Sequence, residues 1–212
     1  MLFRSSADVH IDAAERVLTV KSGGRTASVK EAAAITNDGR TVDIKAKALK
    51  LLVSDTTSVA PLQSAWGILS TGGTTNISGM TEIEVGGTKV SKAVQASGGT
   101  VTFEGLSAKT NAASDDAAAL FAQNDGRISV NVKGGDPEDN TVALDGNIAA
   151  KDAASYVDVA LRGESSYLKG IAYGDGTINM WLQQGAVWQN GKQGATRLWR
   201  SEERRVGKEC RS

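Results

Sequence analysis

The chain has 212 residues and a formal net charge of zero, from 24 basic and 24 acidic side chains. Glycine is abundant at 24 residues, proline is nearly absent at two, and aromatic residues make up 5%. This balance excludes a general basic field for DNA or RNA, and a single cysteine, Cys210, excludes an internal disulfide framework.

The opening stretch "MLFRSSADVHIDAAERVLTV" lacks the apolar run of a signal peptide, and nothing downstream reaches the length of a membrane-spanning helix. From there the chain reads as short alternating phrases. Leu18 and Val20 precede a Gly-Gly turn. Val42, Ile44, Ala46 and Ala48 alternate with polar residues, as do Ile83 and Val85, then Val101 and Phe103. Ile128, Val130 and Val132 follow, then Val142 and Leu144, Val157, Val159 and Leu161, and finally Ile178, Met180 and Leu182. Side chains alternate across a strand, so each phrase predicts a strand with one apolar and one polar face. Glycine or Asp-Gly closes most phrases, as tight turns require.

The phrases recur. "AAAITNDGRTVDI" (Ala32–Ile44) is echoed by "AAALFAQNDGRISVNV" (Ala117–Val132), and "ASGGTVTFEG" is a looser copy. The turn glycines Gly99, Gly126, Gly146 and Gly176 stand 27, 20 and 30 residues apart. Irregular spacing in the twenties predicts a β-solenoid whose stacked coils bury a shared column of Val, Ile, Leu and Ala. At roughly 20–30 residues per coil, on the order of seven to ten coils are expected. The alanine runs "KEAAAIT", "SDDAAALFAQ" and "NIAAKDAAS" also read as short helices, because alanine is the best helix former. "AKALKLLVS" is ambiguous in the same way. Small alanines also suit the narrow corner of a coil.

The closing stretch "SSYLKGIAYGDGTINMWLQQGAVWQNGKQGATRLW" (Ser165–Trp199) resembles the end of an autotransporter passenger, the pertactin-like region before the outer-membrane barrel. The matching motif is an alternating strand followed by Gly-Ala-x-Trp, here Gly185, Ala186 and Trp188. The phrase "S-Y-L-x-G", present at Ser166–Gly170, is similar to the family's repeated coils. The resemblance extends over about residues 93–199, and over 1–92 by texture alone. It implies an all-β, right-handed parallel β-helix, exported and displayed outside the outer membrane. The family's signal peptide and C-terminal translocating barrel are not in this sequence, so a fragment is expected.

Candidate chemistry is sparse, and no catalytic, cofactor or metal residues are expected. The one histidine, His10, has no cysteine partner and reads as a lone exposed side chain. Ser166 and Lys169 match Ser-x-x-Lys without the other motifs of an acyl enzyme. Asp136, Glu138 and Asp139 in "GGDPEDN" are hard oxygen ligands without calcium-loop spacing, and read as a solvated turn opened by Asp-Pro. Gly174 and Gly176 lack the third glycine of a dinucleotide loop and read as a hairpin-like turn. Trp181, Trp188 and Trp199 suit packing in the last coil, with the outward face of Trp181 open to stacking on a sugar.

Three functions suit such a chain. The first is a surface-displayed stalk or adhesin-like passenger contacting host or neighbouring-cell ligands. The others are a polysaccharide-acting β-helix enzyme and a β-solenoid module of a phage or secreted assembly. The final stretch "RSEERRVGKECRS" (Arg200–Ser212) carries five basic and three acidic residues. Over all thirteen residues it resembles the translation of a common short-read sequencing adapter, which implies an artefact rather than a nucleic-acid-binding tail. Without it the body holds 19 basic and 21 acidic residues.

Overall fold

β-branched residues alternating with polar ones favour extended backbone, and the computed structural model is all-β. It describes residues 3–5, 8–22, 31–54, 62–86, 89–110 and 117–190. Of these, 77% lie in strands and none in a helix. Trp199 and residues 200–212 fall outside the described residues.

The strands in chain order are β1 (Phe3–Ser5), β2 (Val9–Ser22), β3 (Glu31–Val53), β4 (Ser64–Val85), β5 (Val90–Ser97) and β6 (Thr100–Thr110). They continue with β7 (Ala117–Gln123), β8 (Arg127–Val130), β9 (Val132–Lys133), β10 (Asp136–Pro137), β11 (Val142–Asp145) and β12 (Asn147–Ala150). The last are β13 (Tyr156–Arg162), β14 (Tyr167–Lys169), β15 (Ala172–Tyr173), β16 (Thr177–Gln183) and β17 (Val187–Gln189).

Fifteen of these strands form one large curled sheet in which every pairing is parallel. Its pairings fall into three ladders. The first contains β1, the start of β3, the start of β4, β5, β7, β12 and β15. The second contains the middle of β3 and β4 flanked by the starts of β2 and β6, then β8, β13 and β16. The third contains the ends of β2, β3, β4 and β6, then β11, β14 and β17. Among the described residues the strands recur through the ladders in the same order seven times, which makes seven stacked coils. Ile35, Ile68, Val94, Leu120 and Ile148 occupy one register position, so a coil takes 26 to 33 residues there. The sheet runs unbroken through residue 92, which lies inside β5.

The core is the space the three ladders enclose. Ile35, Ile68, Val94, Leu120 and Ile148 line it from the first ladder and are at most 1% exposed. Each such side chain contributes about 1.5–3 kcal/mol on burial. Ile44, Ile77, Phe103, Val130 and Val159 line it from the second ladder, and Leu51, Ile83, Ala108, Leu144 and Leu168 from the third.

Several sequence expectations are corrected by this arrangement. The alanine runs at Ala32–Ala34 and Ala117–Ala119 are strand, as the all-β reading expects and against the helical alternative, but they sit along the first ladder rather than at corners. They are buried on both sides of the sheet. Ala118, Phe121 and Ala149 pack with Tyr173 as a second small cluster on the side opposite the core. A strand buried on both faces loses polar alternation and reads as a continuous apolar run, which imitates a helix. "AKALKLLVS" is also strand, but it is bent. The register shifts between Lys45 and Ala48, where the second ladder turns into the third. Ala48 therefore leaves the inward phase, which passes to Leu49, Leu51 and Val53. Val132 leaves it too, because Asn131 turns through φ 57° and starts a projecting hairpin. Of the turn glycines, Gly99, Gly126 and Gly176 precede second-ladder strands, whereas Gly146 precedes β12 of the first. Their sequence spacing therefore mixes two corners.

Buried asparagines pin corners. At the first corner of the second coil, Asn37 donates from Nδ2 to the Arg40 carbonyl (2.8 Å) and the Thr75 hydroxyl (3.0 Å), and accepts the Arg40 N–H (3.0 Å). Buried polar groups are tolerated when satisfied in this way.

Candidate functional site

The second ladder repeats one local pattern once per coil, a polar residue between two inward-facing ones, which are apolar except at Thr75. The triplets are Val9-His10-Ile11, Val42-Asp43-Ile44, Thr75-Asn76-Ile77, Val101-Thr102-Phe103, Ile128-Ser129-Val130, Val157-Asp158-Val159 and Ile178-Asn179-Met180. The flanking members face the core, so the central member faces solvent. Parallel register aligns these central members into one column: His10, Asp43, Asn76, Thr102, Ser129, Asp158, Asn179.

Neighbours about 4.8 Å apart across a ladder can hydrogen-bond, and here they do. His10 Nδ1 lies 2.9 Å from Asp43 Oδ2. Asn76 Nδ2 donates to Asp43 Oδ1 (2.7 Å), and the Thr102 hydroxyl donates to Asn76 Oδ1 (2.7 Å). Farther along, Asn179 Nδ2 donates to Asp158 Oδ1 (2.8 Å). A depression of about 260 Å³ lies over the first three coils, lined by His10, Asp12, Asp43, Lys45, Asn76 and Ser78 among others. His10 is exposed, as expected, but it is not alone. The Asp43 carboxylate at Nδ1 holds the imidazole ring in place.

At the C-terminal end the column is flanked by aromatic rings. Tyr156 precedes Asp158 by one outward position and stacks under the Arg127 guanidinium at 4.5 Å. Trp181 follows Asn179 by one outward position. It pairs with Ala160 and alternates with Met180 and Leu182. The hairpin β9–β10 projects from the fifth coil and packs against β13. Gly134 and Gly135, at φ 61° and 93°, form its tip, the positive-φ pair a two-residue turn needs.

The hairpin base is held by Asn131, which is fully buried. Its Nδ2 donates to the carbonyls of Ala160 (3.0 Å) and Asn140 (2.9 Å), and its Oδ1 accepts the Asn140 N–H (3.0 Å). Arg162 pairs with Asp139 at 2.8 Å. This corrects the expectation of a turn opened by Asp-Pro, since Asp136 and Pro137 form the returning strand instead. Among the described residues, no three His, Cys, Asp or Glu side chains converge as a metal site. Asp136, Glu138 and Asp139 are not brought together.

Ser166 is fully buried, and its hydroxyl donates to the Arg162 carbonyl and accepts the Val142 N–H (3.1 Å). Lys169 is exposed, with its ammonium 4.6 Å above the Tyr167 ring. Gly174 and Gly176 lie at a coil corner between two ladders, not in a hairpin. A Cβ on Gly174 would sit 1.8 Å from the Ala150 carbonyl oxygen, so close stacking demands glycine there. Trp188 packs against the core and donates its Nε1–H to the Gly170 carbonyl (2.9 Å).

Asp152 ties the fifth coil to the sixth. Desolvation pushes its carboxyl up. The N–H of Asn124 (2.6 Å), the Ser155 hydroxyl (2.9 Å) and the N–H groups of Asp125 and Ala154 outweigh that and hold it below its ordinary 3.8. No helix among the described residues is long and apolar enough to cross a membrane. Searches of known protein families, curated proteins and solved structures find no match to this chain.

Proposed function

We propose that this chain is a segment of an autotransporter passenger, a right-handed parallel β-helix serving as a stalk or adhesin-like display surface. The observation that carries this reading is the sevenfold passage of the chain through three parallel ladders around one continuous core. Stacking of this kind gives a rod whose length grows coil by coil and whose outer columns are free to vary. A right-handed path follows from the strong preference of parallel crossovers for that hand. The Gly185-Ala186-x-Trp188 phrase, with Trp188 tucked against the core, supports placing the last coils near the barrel end of a passenger. In the full protein, a leader would precede the segment and a translocating outer-membrane barrel would follow it. The passenger would stand on the cell surface facing host or neighbouring-cell ligands. In the same reading, Arg200–Ser212 are adapter-derived and not native.

Two measurements test this. Reading the natural gene on both sides of the segment should find a leader upstream and barrel-type strands downstream, with codons other than those of residues 200–212 after Trp199. Residues 1–199 fused between a secretion leader and such a barrel should reach the cell surface and become accessible to added protease. A natural gene encoding neither flank, or a fusion retained inside the cell, sinks the proposal.

A further inference from the structure

The outer side of the second ladder carries more polar organisation than a stalk needs. Asp158 and Asn179 are joined by a 2.8 Å hydrogen bond, so both side chains are already fixed. Fixing them beforehand lowers the entropy cost of binding a ligand. That bond uses one carboxylate oxygen and one amide hydrogen. Among the described residues, the other Asp158 oxygen, the Asn179 carbonyl oxygen and a second amide hydrogen have no partner. Acceptors and a donor held side by side by that 2.8 Å bond can receive and supply the hydrogens of a sugar ring's vicinal hydroxyls. Trp181 occupies the next outward position on β16 and is half-buried, so an indole stands on the same outward side as this pair. An indole presents an apolar face to the C–H side of a pyranose. On the other flank, Tyr156 is held under Arg127.

The charges select among partners. Arg127 is already paired with Asp125 at 3.8 Å and the column itself carries Asp158, so the strip offers no positive field to a polyanion. A protein partner would require a broad apolar centre, and a column of Thr, Ser, Asp and Asn does not supply one. We propose that Asp158, Asn179 and Trp181, extended along the column toward Ser129 and Thr102, bind a neutral oligosaccharide. Its length lies along the stack, one sugar per coil. The idea stands on this strip alone and does not depend on where the chain is displayed.

Titration calorimetry on the full chain tests it, with cellohexaose, mannohexaose, laminarihexaose and chitohexaose as probes and heparin as the polyanion arm. At least one neutral hexasaccharide should bind with a Kd of ~1 mM or tighter. Trp181→Ala and Asn179→Ala should each weaken binding about tenfold. Lys109→Ala, on the third ladder, should leave it unchanged. Asn179 is exposed, so its alanine variant should keep the parent circular dichroism and isolate binding from folding. Binding of none of the neutral probes, binding of heparin alone, or neutral binding indifferent to Asn179→Ala would each overturn the proposal.

Discussion

Asn131 is the residue on which the projecting hairpin depends, and two substitutions there separate its hydrogen bonds from its backbone. Replacing it with alanine removes the donor to the buried Ala160 carbonyl and the contacts to Asn140. Asn140 is exposed and can turn its groups to water. The Ala160 carbonyl lies inside and cannot, so its orphaning costs about 1–3 kcal/mol. Alanine at φ 57° adds about 1 kcal/mol of left-handed backbone strain. Asn131→Ala should therefore cost about 3 kcal/mol, and Asn131→Gly, free of the strain, about 2 kcal/mol. Urea unfolding followed by tryptophan fluorescence gives the totals. Hydrogen exchange gives the location, with protection lost first across residues 131–141 and β13, since stacked coils open locally. An Asn131→Gly protein within ~0.5 kcal/mol of the parent would refute the claim that these bonds hold the hairpin. Equal losses for the two variants would refute the strain component.

Thr81 lies in an apolar column between Leu49 and Leu106, and its buried hydroxyl has no partner. Thr81→Val should raise stability by about 1 kcal/mol, measured as a higher urea midpoint at unchanged slope. Gly174→Ala forces a methyl against the Ala150 carbonyl and should cost about 3 kcal/mol. The loss should appear as selective exchange in β16 and β17 rather than across the whole stack. Asp152 has a folded pKa below its ordinary 3.8, so its contribution is present above that pH and is lost as the pH falls through the lower folded value. An Asp152→Asn protein should show a shallower decline in stability over this acid range than the parent. Identical acid profiles would rule out a role for its N–H and hydroxyl donors.

Much of the second ladder was readable in the chain itself. Its triplets keep strict two-residue alternation because one face is core and the other is solvent, as at Val101-Thr102-Phe103 and Val157-Asp158-Val159. The polar ladder is equally present in those triplets, at their central positions. Its members stand 21 to 33 residues apart, and irregular loops hide the period. The triplets, not the turn glycines, carry the period of the coil. The first ladder was misleading in places for the opposite reason. Ala117-Ala118-Ala119-Leu120-Phe121 is covered on both sides, and no polar face remained to betray a strand. The "NDGR" echo marks the same corner twice, yet Asn37 is buried within its strand end while Asn124 turns outward at φ 52°.

By itself the chain determined that it would form many strands with aliphatic inward faces, but not their length, since β2, β3 and β4 run on for 14, 23 and 22 residues through successive ladders. The strands and their faces are consequences of side-chain branching, alternation and glycine placement, all local in range. Register was decided only in three dimensions. A one-residue shift at Lys45–Ala48 exchanges the inward and outward sets, and nothing within that stretch marks where the bend falls. The pairing of His10 with Asp43, or of Asp158 with Asn179, exists only because coils of unequal length stack in parallel around a common core. Residues dozens of positions apart thereby become neighbours about 4.8 Å apart.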